Sequence, residues 1–389
     1  MNKKIIEKCF VVYSNPAISY RDIERLALKD FYPDLAFLQF CPGNEFDCIQ
    51  FQEMSFSLYR IENLFSLLRF WKRQGNKKKL FLSMGDKDLL TIIFFLFAKL
   101  RGDVIAVAPS LDTSPQMVQS RKLNFSRVLK NISSTGFFSY FKAILVGKIA
   151  GVFDRTFKYD YLLAAGEKGV NSRFIVNEVL FSCSKDFSLF YKTSLRSDEY
   201  LRELGLKSCG YILFLDEYEP FHPDYVRLKI KTVDPLFYYS SLNSFFDRVE
   251  KEFGLPVVIA AHPRGNEYYQ KNNPFDGRRL IFSETAYLTR FSHLVLSESS
   301  TSTNFAVLNH KPIIFFLNQE QFSLYKYEYM LGYINYFKTK LLNINSETDQ
   351  LSSFVCYDQK LYSEYIKDFI RSDKSQETET FKILFKKNI

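Results

Sequence analysis

The chain has 389 residues, of which 47% are hydrophobic and 24% charged, so it is long enough to form about two domains with cores of their own. These fractions exclude an intrinsically disordered chain. Lys and Arg number 52 against 43 Asp and Glu, and the net charge of +9, together with 41 Phe and 25 Tyr, favours anionic partners such as phosphorylated substrates, a membrane surface or a nucleic acid.

The cysteines and the apolar segments indicate the cellular compartment. The six cysteines are scattered without a CxxC pair, which predicts reduced thiols rather than disulfides or a structural zinc site. The first residues lack the pattern of a signal peptide because Glu7 and Lys8 interrupt their apolar run. The longest apolar run, residues 89–100, falls short of the roughly 20 residues that a membrane span needs. We therefore expect a cytoplasmic protein without a transmembrane anchor.

The first half of the chain alternates short β-branched or aromatic runs with helical patterns. Apolar residues at i, i+3, i+4 and i+7 predict an amphipathic helix at residues 61–68, and the run 89–100 predicts a buried helix. The predicted strands are residues 9–13, 35–40, 80–83, 104–108 and 161–165. Such alternation is typical of a parallel α/β architecture.

A polar, irregular segment at residues 184–208 precedes a second series of the same kind. Its predicted strands are residues 211–215, 257–261, 280–282, 294–296 and 313–317, and its predicted helices are residues 235–253, 285–291 and 300–308. We predict an α/β fold with two Rossmann-like domains, residues 1–190 and 191–345, that face a central cleft, followed by a helical tail at residues 346–389. In such sheets ligands bind outside the carboxyl ends of the strands.

Several common nucleotide-binding and catalytic motifs are absent. No GxGxxG follows the first strand, and neither GxxxxGK[ST] nor GxSxG occurs, which disfavours a dinucleotide-dependent dehydrogenase, a P-loop nucleotidase and an α/β-hydrolase. Asp86 and Asp88 could bind a metal, but their place before an apolar helix favours helix capping. We expect no metal, no other cofactor and no nucleic-acid partner, because neither a convincing metal cluster nor a nucleic-acid recognition motif accompanies the charge.

Three polar motifs follow predicted strands of the second half. They are Asp216-Glu217, His262-Pro263-Arg264 and Ser299-Ser300-Thr301. A carboxylate at a strand end can act as a general base. A histidine there can donate to a phosphate oxygen and stabilise a leaving group, and an arginine can pair with a phosphate. A hydroxyl-rich turn that enters a helix offers donors to an anion.

The order of these motifs resembles that of the bacterial sialyltransferases and the related CMP-nonulosonate or Kdo transferases, whose second domain carries D/E-D/E-G, HP and S(S/T) motifs. The resemblance covers roughly residues 211–317. It implies a GT-B architecture in which the second domain binds the nucleotide sugar. Tyr218 stands where the family has Gly, which leaves open whether Asp216 or Glu217 is the catalytic carboxylate.

The resemblance also implies a reaction and a set of binding residues. A sialic-acid-like or other ulosonic acid would pass from a CMP-sugar to a cell-surface glycan, such as a lipooligosaccharide or capsule, while a carboxylate removes the acceptor proton. His262 would stabilise the CMP leaving group. The proposed nucleotide-binding residues are His262, Arg264, Ser299, Ser300 and Thr301, with Glu284 placed at the ribose hydroxyls.

Two other functions remain open from the sequence. One is a CDP-glycerol- or CDP-ribitol-type polymer transferase, which would require a second catalytic histidine close to His262. Only His222, in the dipeptide His222-Pro223 of the loop after Asp216, could serve as that histidine. The other is a non-catalytic protein that binds a nucleotide sugar or a glycan.

A basic, aromatic stretch in the first half suggests how the acceptor is reached. Residues 113–153 contain no Asp or Glu. Their cations are Arg121, Lys122, Arg127, Lys130, Lys142 and Lys148. Interleaved with Phe and Tyr, these cations suit an anionic membrane surface or a lipid-linked, phosphorylated glycan. A buried aromatic helix with snorkelling lysines is an equally open interpretation.

Overall fold

The computed structural model describes residues 8–13, 35–40, 57–84, 87–111, 114–115, 137–170, 173–222, 225, 231–346 and 350–387. The chain divides into two compact units. Unit 1 comprises Met1–Thr113, Arg121–Ser188 and Lys367–Ile389, and unit 2 comprises Ser114–Ser120 and Leu189–Ile366. The chain therefore leaves unit 1 after Ser188 and returns to it at Lys367.

Among the described residues, unit 1 contains a sheet of seven parallel strands. They are β1 (Lys8–Tyr13), β2 (Ala36–Phe40), β3 (Ser57–Ile61), β4 (Lys79–Ser83), β5 (Val104–Ser110), β6 (Lys158–Ala164) and β7 (Ile175–Phe181). Their order across the sheet is β3-β2-β1-β4-β5-β6-β7. The central strands are nearly continuous apolar runs because both of their faces are buried.

Among the described residues of unit 1, three helices precede the sixth strand: α1 (Leu64–Arg73), α2 (Leu89–Leu100) and α3 (Phe137–Thr156). The predicted capping role of Asp88 is confirmed, since its carboxylate accepts the Thr91 N–H at 2.7 Å at the start of α2. Asp86 lies outside the described residues. Over the described part of the chain, none of the helices combines the length and the apolar character that crossing a bilayer would require.

Unit 2 contains six parallel strands within residues 189–222 and 231–346. They are β8 (Ile212–Leu215), β9 (Val257–Ala261), β10 (Arg279–Phe282), β11 (Leu294–Ser297), β12 (Ile313–Leu317) and β13 (Leu342–Asn343), in the order β10-β9-β8-β11-β12-β13. Where the structure describes the chain from the unit boundary onward, its helices are α4 (Lys185–Ser194), α5 (Glu199–Glu203), α6 (Pro235–Phe253), α7 (Asn266–Lys271), α8 (Thr285–Phe291), α9 (Thr303–Leu308), α10 (Tyr325–Phe337) and α11 (Gln359–Tyr365). A cluster of buried residues from α6 and the strands, among them Phe214, Phe246 and Ile259, forms the core.

The predicted α/β architecture with two Rossmann-like sheets is confirmed. The sequence patterns missed β3, β7 and β13, all of which lie at sheet edges. An edge strand is covered less completely, so its sequence mixes polar and apolar residues; most side chains of β7 are indeed exposed or half-buried.

Residues 346–389, predicted as a helical tail, divide between the two units. Helix α11 belongs to unit 2, whereas α12 (Lys382–Lys386) belongs to unit 1. In unit 1, Phe381 and Leu384 are fully buried in a cluster with residues of β1 and β4. The domain boundaries at 190/191 and 345/346 stay predictions.

Candidate active site

The carboxyl edge of the unit 2 sheet brings the three predicted motifs together. Leu215 of β8 is aligned with Ala260 of β9 on one side and with Ser297 of β11 on the other. Because the strands are parallel and neighbouring, the residues that follow them emerge at the same level. Asp216, His262 and the turn that begins at Glu298 therefore lie side by side.

Asp216 is a buried carboxylate, only 5% exposed, that joins the ends of two strands. Its Oδ2 accepts the backbone N–H of His262 at 2.8 Å and the hydroxyl of Tyr269 at 2.9 Å, and its Oδ1 accepts the N–H of Tyr218 at 2.9 Å. Burial raises the pKa of Asp216 to about 6, although the three donors act in the opposite direction. The carboxylate therefore anchors the turn that carries His262.

His262 directly follows β9 and lies half-buried at the sheet edge. Pro263 starts a short 3₁₀ turn, and the Nδ1 of His262 accepts the backbone N–H of Arg264 at 3.3 Å. An acceptor at Nδ1 leaves the proton of the neutral ring on Nε2. The histidine can thus donate to an anion, as predicted for a phosphate ligand.

His222 lies next to His262. The sequence alone left open whether these two histidines are close together. The centroids of the two rings are 5.3 Å apart, with the ring planes at 68°. Tyr218 adopts a left-handed conformation, with φ of +54°, and the 3₁₀ turn Glu219–Phe221 then leads the chain to His222. The Nε2 of His222 lies 3.5 Å from Nη1 of Arg264. Because a guanidinium only donates, this nitrogen is an acceptor.

Glu217 points to the turn after β11. Its Oε2 accepts the hydroxyl of Ser299 at 3.1 Å and pairs with the ammonium of Lys326 at 2.9 Å. Within the described residues its Oε1 has no hydrogen-bond partner. The side chain is 18% exposed, so Glu217 is more accessible than Asp216.

Lys326 also pairs with Glu219 and Glu298, and none of these three residues belongs to the predicted motifs. One oxygen of each of the three glutamates lies within 4.8 Å of the others, a spacing that could hold a cation. In this structure the lysine ammonium lies among them. Glu298 could have been noticed because it directly follows a buried strand, whereas no local signal marks Lys326, near the start of α10.

The predicted hydroxyl-rich turn is partly accessible. Ser299 and Ser300 are half-buried and Thr301 is exposed. The Oγ of Ser300 accepts the N–H of Ser302 at 3.2 Å, as in a local turn. Of the three hydroxyls proposed for phosphate binding, that of Ser299 contacts Glu217 at the sheet edge.

Glu284, predicted at the ribose, follows β10 at the same edge but already has partners. It accepts two hydrogen bonds from Arg196, at 2.6 and 3.4 Å, and one from Tyr200 at 3.2 Å. The hydrogen bond to Glu284 raises the pKa of Arg196, and its guanidinium also lies over the rings of Tyr200 and Tyr287. A ribose hydroxyl would have to share this carboxylate with Arg196.

The basic stretch of the first half is only partly described. Arg121, Lys122, Arg127 and Lys130 lie outside the described residues, as does the side chain of Lys142. Lys148 is exposed on α3. Four large apolar side chains among the described ones of this helix are also exposed: Ile144 by 38%, Leu145 by 51%, Ile149 by 38% and Val152 by 61%.

Comparison with known proteins identifies the fold. No family model matches the chain, and no curated protein matches it. Among solved structures, the wall teichoic acid polymerase TagF, as its H444N variant with CDPG, is 12% identical and has a TM-score of 0.50, with 99% of this chain and 88% of that chain covered. MurG of Acinetobacter baumannii is 9% identical and has a TM-score of 0.49, with 98% of this chain and 99% of the MurG chain covered. A third structure is the UDP-GlcNAc 2-epimerase of Methanocaldococcus jannaschii in complex with UDP-GlcNAc and UDP. It is 11% identical and has a TM-score of 0.44, with 98% of this chain and 99% of the epimerase chain covered.

The similarity to TagF extends over both chains and supports the predicted GT-B fold. At 12% identity it indicates the fold and not the substrate. The sequence resemblance to sialyltransferases stays a prediction.

Proposed function

We propose that this protein is a nucleotide-dependent transferase that moves a polyol phosphate from a CDP-linked donor to a glycan or polymer acceptor, with His222 and His262 as catalytic residues. The observation that carries the proposal is the 5.3 Å separation of the two imidazole rings at the carboxyl edge of the unit 2 sheet. The polymer-transferase reading requires a second histidine near His262, and His222 occupies that place. The TagF structure was obtained with CDPG, which agrees with a cytidine donor.

The two histidines suit different tasks. The Nε2 of His222 carries the lone pair that accepts from Arg264, and once that guanidinium pairs with the donor phosphate this nitrogen can take up a proton. The Nε2–H of His262 can donate to a phosphate oxygen as negative charge develops there. Arg264 provides a guanidinium that can pair with the same phosphate.

In the proposed step, the acceptor hydroxyl oxygen attacks the β-phosphorus of the donor. The bond between that phosphorus and the CMP oxygen breaks, and the hydroxyl proton passes to Nε2 of His222. The hydroxyls of Ser299, Ser300 and Thr301 would bind the nucleotide phosphates, and Glu284 would bind the ribose. We expect no metal or other cofactor, because donors of the chain itself can offset the charge on the leaving phosphate.

A second candidate is transfer of an ulosonic acid from a CMP-sugar, as the order of the motifs suggests. Glu217 favours it, because this carboxylate is partly exposed and contacts Ser299. Glu217 would then be the base that takes the acceptor proton while CMP leaves the anomeric carbon. Asp216 suits this role less well, since it is buried and accepts three hydrogen bonds.

We also propose that unit 1 contacts an anionic membrane surface from the cytoplasmic side, where a lipid-linked acceptor would be available. Helix α3 exposes Lys148 beside Leu145 and Val152. Helix α2, which packs against α3, exposes Leu96 by 47% and Leu100 by 85%. Exposed apolar side chains together with a cation suit the interface of an anionic bilayer.

A nucleotide screen followed by transfer assays tests the function. The melting temperature should rise with CMP and CDP but not with UDP or GDP, and labelled CDP-glycerol or CDP-ribitol should donate to an acceptor. His222→Ala and His262→Ala should each lower turnover by about 10²-fold or more. His293→Ala, a change to an exposed histidine at the opposite end of β11, is the matched control and should leave turnover unchanged.

The nucleotide preference and the activities of the variants distinguish the two candidate reactions. Stabilisation by UDP or GDP instead of cytidine nucleotides would overturn the donor assignment. Transfer from CMP-sialic acid that survives His222→Ala but not Glu217→Gln would favour the second candidate. Full transfer from a CDP-linked donor in His222→Ala would refute the histidine pair.

A further inference from the structure

Lys326 is a buried cation at the edge of the candidate site. Its side chain is 1% exposed, and its Nζ lies 2.9 Å from Oε2 of Glu217 and 3.0 Å from Oε2 of Glu298. A third ion pair joins it to Glu219, which is also buried. A buried charge persists only if it is paired. Three carboxylates around one ammonium satisfy this condition and leave excess negative charge.

Further hydrogen bonds fix the carboxylates around the ammonium. The hydroxyl of Tyr225 donates to Glu219 at 2.6 Å, and the hydroxyl of Tyr238 donates to Glu298 at 3.1 Å. The side-chain amide of Gln321 donates to the other oxygen of Glu298 at 2.9 Å. The ammonium therefore occupies a defined place rather than one of several alternatives.

The charge state of the cluster follows from its burial. Burial alone would lower the pKa of Lys326, but the carboxylates of Glu217, Glu219 and Glu298 outweigh it and hold that pKa well above its usual value. Burial also raises the pKa of Glu298 to about 7, with the other two glutamates acting in the same direction against Lys326. Lys326 thus remains an ammonium at any pH at which the enzyme would work.

The cluster joins the segments that carry the candidate catalytic groups. Glu217 and Glu219 belong to the loop that carries His222, and Glu298 begins the turn of Ser299. Lys326 comes from a third segment, near the start of α10. One side chain therefore holds the histidine loop and the hydroxyl turn in register.

We infer that Lys326 is a positioning residue of the transferase site: its ammonium takes the place that a divalent cation could take among the three glutamates, and it fixes His222 and Ser299 relative to each other. The inference rests on the proposed function and adds a residue to it. Removal of the side chain leaves three carboxylates, of which those of Glu219 and Glu298 are buried, without their counter-charge, and the loop and the turn then separate. The oxygens, within 4.8 Å of one another, would offer hard ligands to Mn²⁺.

The test compares Lys326→Ala and Lys326→Arg with the matched control Lys271→Ala, which removes an exposed lysine paired with Glu267 at 2.9 Å. Lys326→Ala should lower kcat by about 100-fold, the scale of a misplaced catalytic group, while the KM for the donor changes much less. MnCl₂ should raise both the melting temperature and kcat of Lys326→Ala but neither quantity in the wild-type protein. Lys326→Arg should retain more activity than Lys326→Ala, and Lys271→Ala should match the wild type.

Two readouts separate this inference from the proposed function. If the wild-type protein transfers nothing from any cytidine donor, the function fails, while the Mn²⁺-dependent melting temperature of Lys326→Ala still tests the cation position. If Lys326→Ala does not fold, the double variant Lys326→Ala/Glu298→Gln, with less excess charge, takes its place. The inference would be overturned by a folded variant that keeps the wild-type kcat. It would also be overturned by one whose melting temperature and kcat do not change when MnCl₂ is added.

Discussion

The substitution Tyr269→Phe tests whether Asp216 anchors the His262 turn. It removes one hydroxyl, which donates to Oδ2 of Asp216 at 2.9 Å, and keeps the ring. That ring is 3% exposed and lies edge-on to Tyr218, with centroids 5.5 Å apart. The change therefore deletes one hydrogen bond with little loss of packing.

The size of the effect depends on the charge of Asp216. A hydrogen bond to a charged group contributes roughly 1.5–3 kcal/mol and one between neutral groups about 1 kcal/mol. With Asp216 ionised at pH 8, Tyr269→Phe should thus lower the free energy of unfolding by about 2 kcal/mol. At pH 5, below the pKa of about 6, the loss should shrink to about 1 kcal/mol.

The sign of the pH dependence follows from linkage. The pKa of Asp216 in the folded state, about 6, lies above the usual value of about 3.9, so its contribution to stability is present at low pH and is lost as the pH rises through 6. Loss of the Tyr269 donor raises that pKa further. The variant should therefore lose more stability than the wild type between pH 5 and pH 8.

Urea unfolding followed by far-UV circular dichroism at both pH values measures these differences. The melting temperature at pH 8 should fall by roughly 4–8 °C, given about 2–4 °C per kcal/mol for a unit of this size. Tyr268→Phe is the matched control, since the half-buried Tyr268 contacts the same aromatic cluster through Phe221. Equal losses for the two variants, or a loss from Tyr269→Phe that is the same at pH 5 and pH 8, would refute the reasoning.

Three further predictions concern the backbone and the surface. Gly265→Ala places a Cβ 2.5 Å from the ring of Tyr269, so it should displace that ring and lower both turnover and stability, measured by transfer assay and thermal melting. Gly166→Ala places a Cβ against the carbonyl of Asp368, and overpacking of this kind should lower the free energy of unfolding by about 1–3 kcal/mol in urea titrations. Val152→Glu adds a charge to the exposed face of α3 and should reduce co-sedimentation with phosphatidylglycerol vesicles at low salt.

Controls from the same chain separate these effects from general damage. Gly151 lies in α3 with open space where a Cβ would stand, so Gly151→Ala should cost no stability. If Gly265→Ala or Gly166→Ala behaves like Gly151→Ala, the close approaches do not constrain the fold. If the wild-type protein fails to sediment with the vesicles at low salt, the proposal that unit 1 contacts an anionic membrane is refuted.

The sequence predicted the fold, and the meeting of the three motifs at one sheet edge, because both depend on periodic, local signals. Buried strands such as β9 are continuous apolar runs, and parallel strands bring the residues that follow them, such as Asp216 and His262, to one edge. Lys326 could not be found in this way, since its partners belong to segments far from it in the chain. The approach of His222 to His262 likewise depends on the left-handed turn at Tyr218, which no apolar pattern encodes.

The return of the chain to unit 1 at Lys367 has a consequence for biosynthesis. Phe381 and Leu384 fill the same cluster as Cys9 and Val11, so unit 1 cannot complete its core until they have left the ribosome. About 180 residues are translated between Ser188 and Lys367, which at about 5–20 residues per second takes roughly 10–35 seconds. During that interval the nascent unit 1 would expose apolar surface that a chaperone could bind, and a chain truncated before Phe381 would keep it exposed.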